Sequence, residues 1–158
     1  MKNFTITACF CMAMAFGALA QDRSKTAISL QPLWGPTGYN VAAYYYLPDI
    51  EAYYDIPEKK FIFNENGEWI NSSNLPEKYK SYDLYKGYKV VLNRPHPYFN
   101  YNAHKERYGR FKGQFGRQLS IKDSTNPKYF VVEGHPRSAS QQAAERKDNK
   151  NSQDATGN

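Results

Sequence analysis

Residues 44–76, YYYLPDIEAYYDIPEKKFIFNENGEWINSSNLP, contain two tyrosine clusters, a phenylalanine pair and a tryptophan, separated by two turn signals. Residues 50–56 alternate with the period of a half-buried strand, in which successive side chains face opposite sides of a sheet. Pro57 begins one turn, and Asn66-Gly67 tolerates the positive φ of a tight hairpin. We predict a meander of three short antiparallel strands at 50–56, 61–63 and 68–71. On the first strand Ile50, Ala52, Tyr54 and Ile56 face the core, whereas Glu51, Tyr53 and Asp55 face outward.

The segments on either side are predicted to extend this sheet. Residues 41–46 can begin it, and 88–93 form a further strand around the strongly β-prone pair Val90-Val91. Residues 129–133 are a candidate last strand. Trp34 lies in an irregular segment rich in proline and glycine, and we expect its ring to fill a gap in the core.

One helix is expected, over 103–108, with Asn102 as its cap and Gly109 as its end. The predicted fold class is therefore β-rich, α+β at most: a small antiparallel β-meander with one short helix packed on it and a disordered C-terminal tail.

The N-terminus has the pattern of a secretory signal peptide at 1–20, with Lys2, an apolar run and a small-x-small site that predicts cleavage after Ala20. A membrane anchor and a lipoprotein box at Cys9 are the alternatives considered. Cys9 and Cys11 lie in this segment, so the mature chain would have no cysteine. We predict export to the periplasm or the medium, with no transmembrane segment in the mature chain.

The remaining chain is long enough for one domain and not comfortably for two. We predict a flexible lead-in at 21–29, a single small β-rich domain at 30–133 and a disordered polar tail at 134–158, where only four alanines are apolar.

Charge is uneven along the domain, although the formal net charge is +6 overall. Residues 44–75 hold six acids against two lysines, and residues 76–122 hold eleven lysines and arginines against three acids. We expect the acidic and basic halves to complement each other within one domain. A basic face left free for a partner is the alternative.

Catalytic and metal-binding patterns are absent from the sequence. The three histidines have no zinc-helix spacing, the acids of the meander lack a calcium-loop pattern, and no serine lies in a nucleophile elbow. We therefore expect no catalytic residue, no metal site and no cofactor. Most of the meander acids lie at turns or on the outward strand face and are expected to be solvated.

Residues 94–117, RPHPYFNYNAHKERYGRFKGQFGR, interleave six aromatic residues with lysines, arginines and two histidines. Such mixtures suit anionic chains, because cations meet the anionic groups and rings stack. Export argues against nucleic acid as the partner. Alternatively, Tyr98, Tyr101, Tyr108 and Phe111 cover the sheet as core and the charges are solvated. The candidate binding residues are Tyr53, Arg94, His96, Tyr98, Tyr101, His104, Lys105, Arg107, Tyr108 and Arg110.

The spacing YYYxPDxxxYYDxxxxxFxFxxxGxWxxxxxLP at 44–76, followed by the strand at 88–93 and RPHPY, resembles small exported bacterial proteins of unknown function that look like aromatic-rich β domains. The resemblance covers about 44–108. It implies export and a β-rich domain, and it implies no activity.

The leading hypothesis is an exported, non-enzymatic cell-envelope protein that binds an envelope polymer or an envelope protein through its aromatic and basic surface. The first alternative is a cell-wall glycan hydrolase that uses meander carboxylates. The second is a structural or assembly protein that acts through exposed strand edges. The sequence leaves the oligomeric state open.

Overall fold

A computed structural model describes residues 25–139, 143 and 146 of the chain. Its centre is a five-stranded antiparallel sheet of β1 (Tyr44–Leu47), β2 (Ala52–Asp55), β3 (Lys60–Glu65), β4 (Glu68–Ser72) and β5 (Val90–Leu92). The strand order is β4-β3-β2-β1-β5. The predicted β-rich meander is confirmed as β2, β3 and β4, and the predicted strands at 41–46 and 88–93 correspond to β1 and β5.

The α-helix α1 (Tyr101–Tyr108) follows the sheet. Short 3-10 turns at Glu77–Tyr79, Pro97–Asn100, Gly109–Phe111 and Pro127–Tyr129 make up most of the remaining regular structure among the described residues. The helix begins two residues before the predicted start and continues into a 3-10 turn at Gly109, which has φ −54° and does not end the helical path.

The hairpin turns follow the predicted chemistry. Asn66 and Gly67 have φ of 53° and 92°, and the Asn64 side chain accepts a hydrogen bond from the Gly67 amide at 3.1 Å. Two positive φ values in succession match the twist of the flanking strands, which favours Asn-Gly there. Glu51, in the turn between β1 and β2, also has a positive φ of 52°. That turn places its carboxylate beside the later basic segment, as described below.

One face of the sheet carries the largest apolar cluster, built around Tyr45, Leu47, Tyr54 and Phe61. Trp34 packs edge-on against Tyr45 and Tyr54, with ring centroids 5.5 and 4.8 Å apart. Trp34 therefore fills a gap in the core, as predicted.

The opposite face is covered too, and the prediction that Tyr53 faces outward into solvent is wrong. Tyr53 and Tyr46 are both 0% exposed and pack with Ile62 under α1 and the turn before it. The alternation between two faces was correct, but it does not reveal whether the second face meets water or a covering helix. Tyr98, Tyr101 and Tyr108 are half-buried and supply part of that cover.

A second, smaller cluster joins the two ends of the domain through Ile28, Ile121, Tyr129 and Val132. The predicted strand at 129–133 is wrong, because Pro127–Tyr129 is a 3-10 turn. Pro127 stands at its start, and the Asn126 side chain accepts a hydrogen bond from the Lys128 amide at 3.1 Å. Both features favour a helical turn over a strand.

The domain extends beyond both predicted boundaries. Residues 25–29, within the predicted flexible lead-in, are helical, and Ile28 is buried. His135, in the predicted tail, is also buried, with Nε2 3.1 Å from the Ile121 carbonyl oxygen. The predicted signal peptide, its cleavage site and the tail from 140 onward lie outside the described residues, apart from 143 and 146. No described helix has the length and apolar character needed to cross a membrane.

Candidate functional site

The acidic turn of the meander anchors the basic segment. The Glu51 carboxylate accepts hydrogen bonds from the Tyr101 hydroxyl at 2.6 Å, from Lys105 at 2.9 Å and from Lys112. Burial alone would raise the pKa of Glu51, but these donors outweigh burial and lower the pKa to about 2. Glu51 therefore stays ionised and ties α1 and the segment after it to the sheet.

Asp49 makes a second connection of the same kind. One of its oxygens accepts a hydrogen bond from the Tyr82 hydroxyl at 2.9 Å, and the other accepts one from the Gly113 amide at 2.6 Å. The acidic half thus complements part of the basic half within one domain, as expected. The acids that take part are Asp49 and Glu51, both in the β1–β2 turn.

Several arginines take no part in this complementation. A cleft of about 460 Å³ lies between the outer edge of β5 and α1. Arg94 extends from the end of β5, and Arg107 stands on α1 across the cleft from it. Within residues 25–139, neither arginine has a carboxylate within 4.0 Å. The cleft therefore presents two uncompensated guanidinium groups.

The inner wall of this cleft is formed by the imidazole of His104. His104 packs between Tyr46 and Tyr108, and its Nδ1 lies 2.9 Å from the Tyr53 hydroxyl. Burial, and secondarily the charge of Arg107, lowers the pKa of His104 below its usual value. Burial raises the pKa of Tyr53, so its hydroxyl keeps its proton at neutral pH. With Tyr53 as the donor, His104 would carry its proton on Nε2 and could donate to a ligand.

A shallow aromatic shelf lies on the other side of the turn Pro97–Asn100. This depression of about 710 Å³ includes Trp69, Tyr98, Phe99 and Tyr101. Trp69 has ring centroids 5.5 Å from Tyr98 and 5.3 Å from Tyr101. Phe99 is 76% exposed, the highest value among the exposed large apolar side chains of the described residues. Three asparagines, Asn64, Asn100 and Asn102, complete the shelf's polar lining.

The ten predicted binding residues divide among these features. Arg94, His104, Arg107 and Tyr108 line the cleft, and Tyr98 and Tyr101 line the shelf. Tyr53 is buried beneath His104 and is not an exposed contact. The other three lie elsewhere: His96 bonds the Tyr98 hydroxyl at 3.0 Å, Lys105 is paired with Glu51, and Arg110 lies over the Phe111 ring.

The site residues that the sequence did not indicate come from β4, from the position after β5 and from the turn before α1. Trp69 was predicted as part of a strand without a surface role, yet it lines the shelf. Asn93 and Asn100 line the cleft. Phe99 and Asn100 lie within the segment singled out for its rings and charges. Of these two residues, only Phe99 could have been named as a candidate from the sequence, because it is an aromatic neighbour of Tyr98.

Lys89 is a buried cation that the sequence did not indicate. It is 2% exposed, and its ammonium donates to the Tyr85 carbonyl at 3.3 Å. Burial lowers its pKa to about 8, while the nearby carboxylates of Asp83 and Asp49 act in the opposite direction. Lys89 lines neither the cleft nor the shelf, so we treat it as a property of the fold.

Within the part of the chain that the structure describes, no group of three or more histidine, cysteine or acidic side chains is arranged to hold a metal ion. Comparison of the chain with family models, with curated proteins and with solved structures produced no match. The resemblance to small exported β-domain proteins therefore stays a prediction.

Proposed function

We propose that this chain is an exported, non-enzymatic binding protein of the cell envelope, and that its cleft between β5 and α1 holds an anionic envelope polymer. The observation that carries this proposal is the pair Arg94 and Arg107, which face one cleft without a carboxylate partner among the described residues. Export and envelope location rest on the sequence pattern of residues 1–20 alone.

The chemistry of the cleft favours an anionic group. A guanidinium presents a planar fork of donors that matches carboxylate and phosphate oxygens, and it keeps its charge at any physiological pH. Asn93 and Asn100 add amide groups to the same walls. The Asn93 side-chain oxygen already accepts a hydrogen bond from the Ala43 amide at 3.0 Å, which leaves its NH₂ group to donate. Donors therefore outnumber acceptors in this cleft.

The positions of the carboxylates favour a binding function over glycan hydrolysis. A hydrolase would need two carboxyl groups facing one bound sugar. Among the described residues, no carboxylate lines the cleft or the shelf. Glu51 and Asp49 are hydrogen-bonded to the basic segment, and Glu58 and Glu65 are exposed near opposite ends of β3.

The test uses a defined probe, polygalacturonate, whose carboxylates repeat along a glycan chain. Arg94→Gln combined with Arg107→Gln should weaken binding at least tenfold, and the remaining affinity should depend less steeply on salt. Arg117→Gln is the matched control, because Arg117 is exposed and lines neither depression. Equal binding by the double variant and the wild type would overturn the assignment of the cleft.

Export has its own test. Expression of the full chain with its own N-terminus should give a mature product whose first residue is Gln21, read by N-terminal sequencing of an envelope or medium fraction. A product that retains Met1 and stays in the cytoplasmic fraction would remove the envelope part of the proposal. It would leave the binding chemistry of the cleft unaffected.

A second candidate function, assembly through a strand edge, is favoured by one observation at β5. The Gln118 side chain pairs with both backbone groups of Lys89, at 2.8 and 2.9 Å. Lys89 and Val91 are two positions apart, and alternate residues of an edge strand direct their backbone N–H and C=O groups to the same side. The N–H and C=O of Val91 therefore also point away from β1. Unlike those of Lys89, they have no partner among the described residues, and an unpaired edge can recruit another strand.

Sedimentation at several protein concentrations tests this second function. Self-association that is lost in Val91→Pro would support it, because proline removes the outward N–H and is tolerated at a sheet edge. A monomer at every concentration would exclude assembly between copies of this chain.

A further inference from the structure

We propose that the aromatic shelf is a second subsite, one that takes a neutral pyranose ring of the same polymer. Together with the cleft it would make the ligand an anionic glycan, in which charged groups and sugar rings alternate. The inference rests on the proposed function only for the charged part of the ligand. The shelf itself is argued from its own residues.

The shelf has the two kinds of surface that a sugar ring needs. One face of a pyranose is apolar, since its axial C–H groups point that way, and it packs against an aromatic ring. The hydroxyl groups around the rim of the sugar need donors and acceptors in the plane of the ring. Phe99 offers a 76% exposed ring, with Trp69 in the same depression. Single exposed apolar side chains are common, but an aromatic group within a depression often marks a binding surface.

The amides meet the second requirement. Asn100 and Asn102 are exposed, and neither side chain makes a hydrogen bond within the described chain. Asn64 uses its oxygen for the Gly67 amide, which leaves its NH₂ group to donate. A carboxamide has both donors and acceptors, so this set suits a hydroxyl group, which is both a donor and an acceptor. No lysine or arginine of the described chain lines the shelf, which separates its chemistry from that of the cleft.

The shelf and the cleft form one continuous surface. Asn100 and Ala103 line both depressions, so the turn Pro97–Asn100 and the start of α1 form the ridge between them. A chain lying across this ridge would place a ring beside Phe99 and an anionic group between Arg94 and Arg107. This continuity is what favours a glycan over an unrelated second ligand on the shelf.

The residues of the shelf are held in place by hydrogen bonds and by a buried proline. Tyr101 is fixed through its 2.6 Å hydrogen bond to Glu51, and the Tyr98 hydroxyl lies 3.0 Å from Nδ1 of His96. Pro97 is buried at the start of the turn that places Phe99 outward. The exposed ring therefore stands on a turn whose neighbours are anchored on both sides.

Tryptophan fluorescence gives a direct readout of this site. The mature chain has two tryptophans, and Trp34 lies on the opposite face of the sheet. In a Trp34→Phe background, Trp69 is therefore the only tryptophan reporter. Neutral cellotetraose and chitotetraose are the probes, and one of them should change the emission saturably. Phe99→Ala should weaken that binding about tenfold, as expected for the loss of one aromatic contact. Phe115→Ala is the control, because Phe115 is 53% exposed and lies outside the shelf.

The two proposals fail in different ways. If Arg94→Gln with Arg107→Gln abolishes polygalacturonate binding while neither neutral probe affects Trp69, the cleft stands and the sugar subsite is overturned. If a neutral probe binds and Phe99→Ala weakens it, but the arginine variants bind polygalacturonate like the wild type, the shelf stands and the charged cleft is wrong. Binding of polyglutamate with the same dependence on Phe99 would also overturn the inference, because the ligand would then be an acidic peptide.

Discussion

The Tyr53 hydroxyl lies 2.9 Å from Nδ1 of His104 and joins the middle of the sheet to a helix 51 residues later in the chain. Tyr53 is 0% exposed, and His104 forms the inner wall of the cleft. The contact therefore couples the core on this face of the sheet to the surface where we propose that the ligand binds.

Tyr53→Phe should lower the free energy of unfolding by about 0.5–1.5 kcal/mol, the usual net contribution of one hydrogen bond. The ring stays, so its packing against Tyr46 and Trp69 is kept. Urea unfolding measures the change. Tyr85→Phe is the control, because Tyr85 is 40% exposed, and its unfolding midpoint should match the wild type. A neutral result for Tyr53→Phe would mean that the contact contributes nothing to stability.

Glu51→Gln should destabilise the protein at neutral pH and lose its effect in acid. The pKa of Glu51 is about 2 in the folded protein against 4.5 for the free group. Its contribution is therefore fully present above pH 4.5 and is lost as the pH falls from 4.5 to 2. With allowance for solvent screening this corresponds to roughly 1–3 kcal/mol at pH 7.

Thermal unfolding of Glu51→Gln and wild type between pH 7 and pH 2 checks this expectation. The difference in stability between the two proteins should shrink across the lower half of that range. Glu58→Gln, a change at an exposed turn position, should track the wild type throughout. A gap between Glu51→Gln and wild type that stays constant with pH would contradict the assignment of the ionised Glu51 as an anchor.

Lys89→Met should stabilise the protein at pH 7 by about 1–3 kcal/mol, because it removes a charge from a site that is 2% exposed. The folded pKa of about 8 lies below the ordinary value of 10.5, so the unfolded chain binds more protons between these limits. The stability of the wild type should therefore rise with pH from about 8.

The variant lacks this rise, so its stability curve should approach that of the wild type from about pH 8, with more than half of the gap closed by about pH 9.5. Comparison is best ended near that pH, because buried tyrosines such as Tyr45 and Tyr53, whose pKa values are raised by burial, begin to oppose folding above pH 10. Parallel curves for Lys89→Met and wild type would show that Lys89 keeps an ordinary pKa.

His135→Ala should lower the free energy of unfolding by about 1–3 kcal/mol, because the imidazole is buried and both of its nitrogens are hydrogen-bonded. One nitrogen bonds the Ile121 carbonyl at 3.1 Å, and the other accepts from the Arg137 amide at 3.0 Å. Denaturant unfolding measures the loss, with the exposed Thr125→Ala as control. An unchanged midpoint would place His135 outside the cooperative domain, as first predicted from the composition of the tail.

Local sequence patterns were sufficient to predict secondary structure where the residues themselves restrict the backbone conformation. Asn66-Gly67 predicted a hairpin because few other pairs accept two positive φ values. The meander and Val90-Val91 were identified for a similar reason, since β-branched and aromatic residues favour strands. The prediction of a strand at 129–133 is wrong because Pro127 and the Asn126 cap favour a helical turn. These local signals outweighed the β propensity of Val131-Val132.

The cleft and the shelf could be predicted only in part. The rings and charges of residues 94–117 identified the right segment, but not which side chains are already used. Lys105 and Arg107 differ little in sequence context, yet Lys105 is paired with Glu51 and Arg107 faces the cleft. That distinction depends on the turn that brings Glu51, with its φ of 52°, beside the helix.

By itself, the sequence determined the strands of the meander, their turns, one short helix and the segment in which cations and rings interleave. Those features follow from backbone preference and side-chain period, which act over a few residues. Only the tertiary structure decided that both faces of the sheet are covered, that Tyr53 is core, and that Arg94 and Arg107 face one cleft. Burial and charge compensation depend on contacts between residues about 50 positions apart, such as Tyr53 with His104 and Glu51 with Tyr101, and no local pattern encodes them.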